Sequence, residues 1–291
     1  MLEVKEMGLN SIGVVGAGAM GTGIAHVAAM SGYQIILRDI DQKYLDKSIN
    51  RMSSLMDRSI SKGKITGEDK ANTLGRVKTT TELGDFKDCD LIVEAVIENM
   101  DLKQQVFAEL NTICKEETIF ATNTSSMSVT AIGAASGRED RFCGIHFFNP
   151  VQVMKLVEII SGLNTSEATI KAAYDLAQGM GKTPVHVKKD IPGFIVNRLL
   201  VPYLNEAAQM YAEGIASIED IDTAVKLGLN YPMGPFQMLD MGGVDLTVTI
   251  MDYFKEEFGN NKYAPELLLR QMVRANKLGQ KTGEGFYKYD A

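Results

Sequence analysis

Short apolar runs of strand length alternate with longer amphipathic segments from the start of this chain to about Val187, and there the alternation stops. The apolar runs lie at residues 11–15, 34–39, around Val77, and at 90–96, 118–122, 141–145, 154–160 and 184–187. Helical stretches are predicted between them: an Ala-rich run over 22–30, a polar one over 44–64, one opening at Asp101-x-x-Gln104, and one from 164–167 to Gly179 or Gly181. Strand and helix in turn predict an α/β, Rossmann-type doubly wound parallel sheet with helices on its faces. From Phe194 onward the period is helical throughout, over 194–212, 218–227, 235–258 and 265–275. We therefore expect a nucleotide-binding domain over residues 1–187 and an all-helical domain over 188–291. The helical part carries more apolar residues than one small bundle can hide, which predicts a homodimer interface there.

The first apolar run leads into chemistry. Ser11-Ile-Gly-Val-Val-Gly-Ala-Gly-Ala-Met-Gly21 places Gly16, Gly18 and Gly21 in a G-x-G-x-x-G turn between strand and helix, with Ala17, Ala19 and Met20 interleaved. Gly16 permits the turn, Gly18 lets the backbone approach a pyrophosphate, and Gly21 lets the helix pack on the strand. In a chain with 27 glycines that spacing alone is weak. Its setting strengthens it, because Asp39 ends the second strand at the roughly 20-residue separation at which an acid meets the ribose hydroxyls. Asp39 favours NAD, whereas Arg38 beside it would accommodate a 2′-phosphate and keeps NADP open.

Open α/β sheets bind ligands beyond the carboxyl ends of their strands. Two such ends are polar here, Asn123-Thr-Ser-Ser126 and His146-Phe-Phe-Asn-Pro150. Glu158 lies in the apolar run Met154-Lys-Leu-Val-Glu-Ile-Ile160, where a buried carboxylate needs a partner. Adjacent strands joined by the Asn149-Pro150 turn would bring His146 and Glu158 together; an edge-strand Glu beside a core histidine fits the spacing equally well. His26 and His186 read as structural. Lys62, with Lys47, Arg51, Arg58 and Lys64, reads either as a solvated helix face or as an attractor for an anionic substrate handle.

Net charge is −7, which argues against a general nucleic-acid surface. No apolar run approaches the length of a membrane helix, and Met1-Leu-Glu-Val-Lys-Glu lacks the basic opening of a signal peptide. Cys89, Cys114 and Cys143 are odd in number and dispersed, as expected of reduced thiols in a cytoplasmic protein, and they do not cluster with the three histidines at metal-ligand spacing.

Taken together, Val14–Gly21, Asn123–Ser126, His146–Pro150 with Met154–Glu158, Pro192-Gly-Phe-Ile-Val-Asn-Arg198, Tyr231-Pro-Met-Gly-Pro235 and Lys281-Thr-Gly-Glu-Gly-Phe-Tyr287 resemble the 3-hydroxyacyl-CoA dehydrogenase family, in order and over essentially the whole chain. In length the chain looks like that family's stand-alone bacterial 3-hydroxybutyryl-CoA dehydrogenases. The resemblance implies an oxidoreductase interconverting 3-hydroxyacyl-CoA and 3-oxoacyl-CoA by hydride transfer with NAD. It implies His146 as general acid/base, Glu158 as its holder, and Ser125 and Asn197 as donors to substrate oxygens. It also implies cofactor contacts at Glu98, Lys103, Ser125, Asn149 and Lys281, and an acyl-CoA contact at Lys62. Two other readings remain open, a dehydrogenase of free 3-hydroxy acids, which would rely on a catalytic lysine, and a nucleotide-binding relative without activity.

Overall fold

The computed structural model describes residues 8–289. The Met1–Glu6 stretch weighed above as a possible leader lies outside the described residues. The chain divides into two compact units between Ile191 and Pro192.

The first unit is built around one eight-stranded sheet. In chain order it contains β1 (Ser11–Val15), α1 (Ala19–Met30), β2 (Gln34–Arg38), α2 (Gln42–Ser61), α3 (Gly67–Gly75), β3 (Val77–Thr80) and β4 (Leu91–Glu94). There follow α4 (Met100–Ile113), β5 (Ile119–Thr122), α5 (Val129–Ala134), β6 (Phe142–Phe147), β7 (Leu156–Ser161), α6 (Glu167–Gly179) and β8 (Thr183–Val187). The sheet order is β3-β2-β1-β4-β5-β6-β7-β8. Order reverses between β1 and β4, which opens a crevice at their carboxyl ends of the kind that binds a ligand. All pairings are parallel except β6–β7, so the last two strands run against the first six. Parallel strands covered on both faces must be apolar throughout, and Ile12, Val14, Leu91, Val93, Ala121 and Ile145 are accordingly buried.

Several local expectations shift. The polar helix expected over 44–64 starts earlier, because Asp41 caps it through Lys43 N, and it stops at Ser61. A separate helix, α3, follows behind a Thr66/Asp69 capping box. The cap of α4 is Asn99, whose side chain accepts from Leu102 N, and not Asp101. The linker from Lys188 to Ile191 belongs with the sheet rather than with the helices. Asp190 accepts from Ser128 Oγ at 2.6 Å and Thr130 N at 2.8 Å and so holds it there.

The second unit is helical: α7 (Val196–Ala212), α8 (Ile218–Gly228), α9 (Pro235–Gly242), α10 (Val244–Phe258) and α11 (Leu267–Arg274). Phe194 sits at φ 51° and cannot begin the helix expected from it. The stretch expected as one helix over 235–258 is two, broken at Gly243 with φ 98°. Leu204, Ala208, Phe236, Leu239 and Leu269 form its core. Two buried carboxylates sew the C-terminal stretch to it. Asp222 accepts from Phe236 N at 2.8 Å and Tyr287 OH at 2.9 Å, and Asp240 accepts from Phe286 N at 2.9 Å and Tyr287 N at 2.8 Å. The Gly-Phe-Tyr part of the Lys281–Tyr287 motif is thereby a structural clasp. Among the described residues no helix is long and apolar enough to cross a membrane.

Candidate active site

The phosphate end of the crevice is made by the turn after β1. Gly16 takes φ 101°, donates its N–H to Arg38 O at 2.8 Å, and lies so close to β4 that a Cβ would stand 2.7 Å from the Ala95 carbonyl oxygen. A methyl at Gly21 would overlap the Gly16 carbonyl. Both glycines are thus required by the fold. Gly18 differs, since a Cβ there meets nothing within 4 Å. It is the N-cap of α1 and offers no side-chain cap, so the first-turn N–H groups face an open cradle suited to an anion. Ala19 continues that turn at the surface, and Met20, partly buried, packs against the core.

Asp39 closes the other side. Its Oδ2 accepts from Ala17 N and its Oδ1 from Ile40 N, each at 2.7 Å, which fixes the carboxylate against the glycine turn. A carboxylate has about four acceptor sites, so lone pairs remain for ribose hydroxyls. Arg38, the residue that left cofactor choice open, donates from Nε to Thr81 O at 3.1 Å. The residues present therefore fit a dinucleotide.

The acid/base candidates come from the antiparallel pair. His146 on β6 stands directly opposite Glu158 on β7 in the register, so both side chains project from the same face. Nδ1 of His146 is 2.7 Å from Oε2 of Glu158, with the two side chains 8% and 1% exposed. Spacing alone left two readings open, and the structure selects the paired one. The ring packs against Phe148 at 4.5 Å between centroids. Lys182 braces the connection between the two strands, donating to the Val151 carbonyl and to the Met154 carbonyl at 2.9 Å. Burial holds its ammonium below the usual lysine range. His26, within α1, is buried, which lowers its pKa, and its Nδ1 lies 3.4 Å from Gln152 Nε2. His186 pairs with Ser161 Oγ at 2.8 Å.

A second cluster gathers at the ends of β4 and β5. Glu98 Oε1 accepts from Ser125 N at 2.8 Å, Ser125 Oγ at 3.2 Å and Thr124 Oγ1 at 2.9 Å. Lys103, 1% exposed, bridges Glu98 Oε2 at 3.2 Å and Glu94 Oε1 at 2.7 Å. Asn123 Oδ1 accepts from Phe147 N at 2.9 Å, which ties the Ser125 loop to the strand that carries His146. Glu94 and Lys182 escaped the sequence reading. Glu94 carried the same signal as Glu158, a carboxylate inside an apolar run, whereas nothing in the sequence around Lys182 sets it apart.

Asn149 is exposed just past β6, and Lys62 is exposed at the C-terminal end of α2. Asn197, in the first turn of α7, and Lys281, ion-paired with Asp245 at 2.5 Å, belong to the helical unit. The thiols of Cys89, Cys114 and Cys143 are buried, which raises them to about 11, 12 and 12, so they stay protonated.

Comparison with known proteins bears on the whole chain. Residues 11–191 match the family profile described as 3-hydroxyacyl-CoA dehydrogenase, NAD binding domain, and residues 193–289 match its C-terminal domain. A probable 3-hydroxybutyryl-CoA dehydrogenase of Deinococcus radiodurans is 47% identical over 95% of this chain and 99% of its own. The mitochondrial hydroxyacyl-coenzyme A dehydrogenase of Homo sapiens is 46% identical over 99% of this chain and 93% of its own. The crystal structure of (S)-3-hydroxybutyryl-CoA dehydrogenase from Ralstonia eutropha superposes with a TM-score of 0.95 at 45% identity, covering 97% of this chain and all of that one.

Proposed function

Since this chain belongs to the 3-hydroxyacyl-CoA dehydrogenase family, we propose that it interconverts 3-hydroxybutyryl-CoA and acetoacetyl-CoA with NAD, using His146 as general acid/base. The observation that carries the proposal is the 2.7 Å contact between His146 Nδ1 and Glu158 at the carboxyl end of β6. A carboxylate on Nδ1 selects the tautomer with the proton on that nitrogen, which leaves Nε2 to exchange the substrate's proton. Neutral His146 accepts the proton of the C3 hydroxyl as the alcohol is oxidised, and its imidazolium returns it as the ketone is reduced. Glu158 fixes the ring and offsets the charge that the ring gains, as the acid does in a Ser-His-Asp triad.

A bound nicotinamide supplies the hydride acceptor or donor for substrate C3. The glycine turn, the N-terminus of α1 and Asp39 would hold its dinucleotide, with Glu98, Lys103, Ser125, Asn149 and Lys281 as further contacts carried over from the family. Ser125 and Asn197 donate to the substrate oxygen on which charge develops. Lys62 serves the anionic handle of the acyl-CoA. We place the enzyme in the cytoplasm as a homodimer. Support for the dimer comes from the helical unit, where Tyr203, Met210, Ile221, Val225 and Pro235 help line an apolar groove of about 310 Å³ and Leu227 is 81% exposed.

The test is NADH oxidation by the purified protein with acetoacetyl-CoA, repeated with longer 3-oxoacyl-CoA thioesters and with free acetoacetate. Turnover is expected with the thioesters and best with the shortest. Turnover with acetoacetate alone, or with none of them, would refute the proposal.

A further inference from the structure

We propose that the buried Glu94–Lys103 ion pair is a positioning device of the active site: Glu94 fixes Lys103, and Lys103 fixes the carboxylate that orients Ser125. This rests on the proposed function, in which Ser125 meets the substrate oxygen. Glu94 ends β4 and is fully buried. Its Oε1 accepts from Val96 N and from Lys103 Nζ, and its Oε2 from Thr122 Oγ1, each at 2.7 Å. Every oxygen is therefore committed, so the carboxylate is a fixed point anchored on two strands.

Lys103 takes that fixed point outward. Its side chain is 1% exposed, and Nζ makes its second ion pair with Glu98, whose side chain is 40% exposed. Glu98 lies in the irregular connection between β4 and α4, where no strand or helix holds it. One of its oxygens is taken by Lys103 at 3.2 Å and the other receives the N–H and hydroxyl of Ser125 and the hydroxyl of Thr124. A continuous polar chain thus runs from the interior of the sheet to the half-exposed serine loop.

Stability alone does not explain such a pair. Replacing a buried ion pair by neutral side chains of similar volume is often harmless to a fold, whereas removing one partner leaves an uncompensated charge. What a neutral pair cannot do is hold Glu98 by charge. Misplacing a reacting or orienting group by about 1 Å can cost about 100-fold in rate. Glu94 is in this sense a positioning residue, acting through Lys103 and Glu98.

The test is a kinetic cycle on the full chain, with acetoacetyl-CoA and NADH, for wild type, Glu94→Gln, Ser125→Ala and the double variant. Glutamine keeps the shape, since its carbonyl accepts from Val96 and its amide donates to the Thr122 hydroxyl. Glu94→Gln is expected to lower kcat about 10- to 100-fold. The double variant should fall no more than about twofold below Ser125→Ala, as for residues acting through one function. Glu94→Gln/Lys103→Met separates positioning from folding, and it replaces Glu94→Gln in the cycle if that variant does not fold. Its melting midpoint should return to within about 3 °C of wild type while kcat stays low. Multiplying losses in the cycle, Ser125→Ala at the wild-type rate, or a neutral pair with full kcat would each overturn the inference. An inactive wild-type protein would instead overturn the proposed function.

Discussion

Replacing Gly18 by alanine separates what the fold needs from what a dinucleotide needs. Gly18 has φ −68° and ψ −168°, which any residue adopts, and a Cβ there meets nothing within 4 Å. Alanine is a poorer N-cap than glycine by a few tenths to about 1 kcal/mol, yet it restricts the unfolded chain by about 0.4–1 kcal/mol in compensation. The two effects nearly cancel, so Tm should move by less than about 4 °C. A pyrophosphate seated on the first turn of α1 would meet the new methyl. Loss of one charge-assisted hydrogen bond is worth about 1.5–3 kcal/mol, or roughly 10- to 100-fold in affinity. Gly21→Ala is the control, because its methyl overlaps the Gly16 carbonyl, and overpacking of that kind costs about 1–3 kcal/mol or more. The assay pairs NADH titration by fluorescence with thermal unfolding. Gly18→Ala should bind NADH weakly and melt normally, whereas Gly21→Ala should melt early. A Gly18→Ala protein with wild-type NADH affinity would refute the assignment of this cradle to the cofactor.

With Asp39 held against the glycine turn and Arg38 bonded to Thr81 O, NADH should exceed NADPH in kcat/KM by about 100-fold or more, since like charges set together cost several kcal/mol; equal efficiencies would show that Arg38 turns to the 2′-phosphate. Sedimentation at micromolar concentration should give a dimer, and Leu227→Glu, placed at an exposed apolar position of the helical unit, should shift it toward monomer; a wild-type monomer would contradict the interface. Lys62→Ala should raise KM for acetoacetyl-CoA about threefold at low salt and little at high salt, because exposed charges are screened beyond about 10 Å at 0.1 M; an unchanged KM at low salt would remove Lys62 from the binding site.

The sheet was legible because its strands are short apolar runs punctuated by glycine, and because the turn from Gly16 to Gly21 and Asp39 are local features read in order. The meeting of His146 and Glu158 was only half legible. Their placement in two runs separated by Asn149-Pro150 fits a hairpin, but the face on which each projects depends on register, and a slip of one residue would have parted them. Glu94 carried the local signal of a carboxylate inside an apolar run, but its partners come from Lys103 on the next helix and Thr122 on the next strand, and no local pattern announces them. The break at Gly243 and the start of α7 after Phe194 are set by positive φ values that composition does not reveal. The Asp222 and Asp240 clasps likewise join segments far apart in sequence.

The claim that His146 and Glu158 act as one proton-handling unit is tested most directly by kcat for acetoacetyl-CoA reduction in His146→Gln, Glu158→Gln and the double variant, with NADH affinity recorded for each. General acid–base catalysis contributes about 10²- to 10⁴-fold, so His146→Gln should lose about that much while still binding NADH. Glu158→Gln should also fall severely, and the double variant should be little worse than the worse single one, as expected for two groups that share a function. Losses that multiply in full, or a His146→Gln protein with near-normal turnover, would contradict the account.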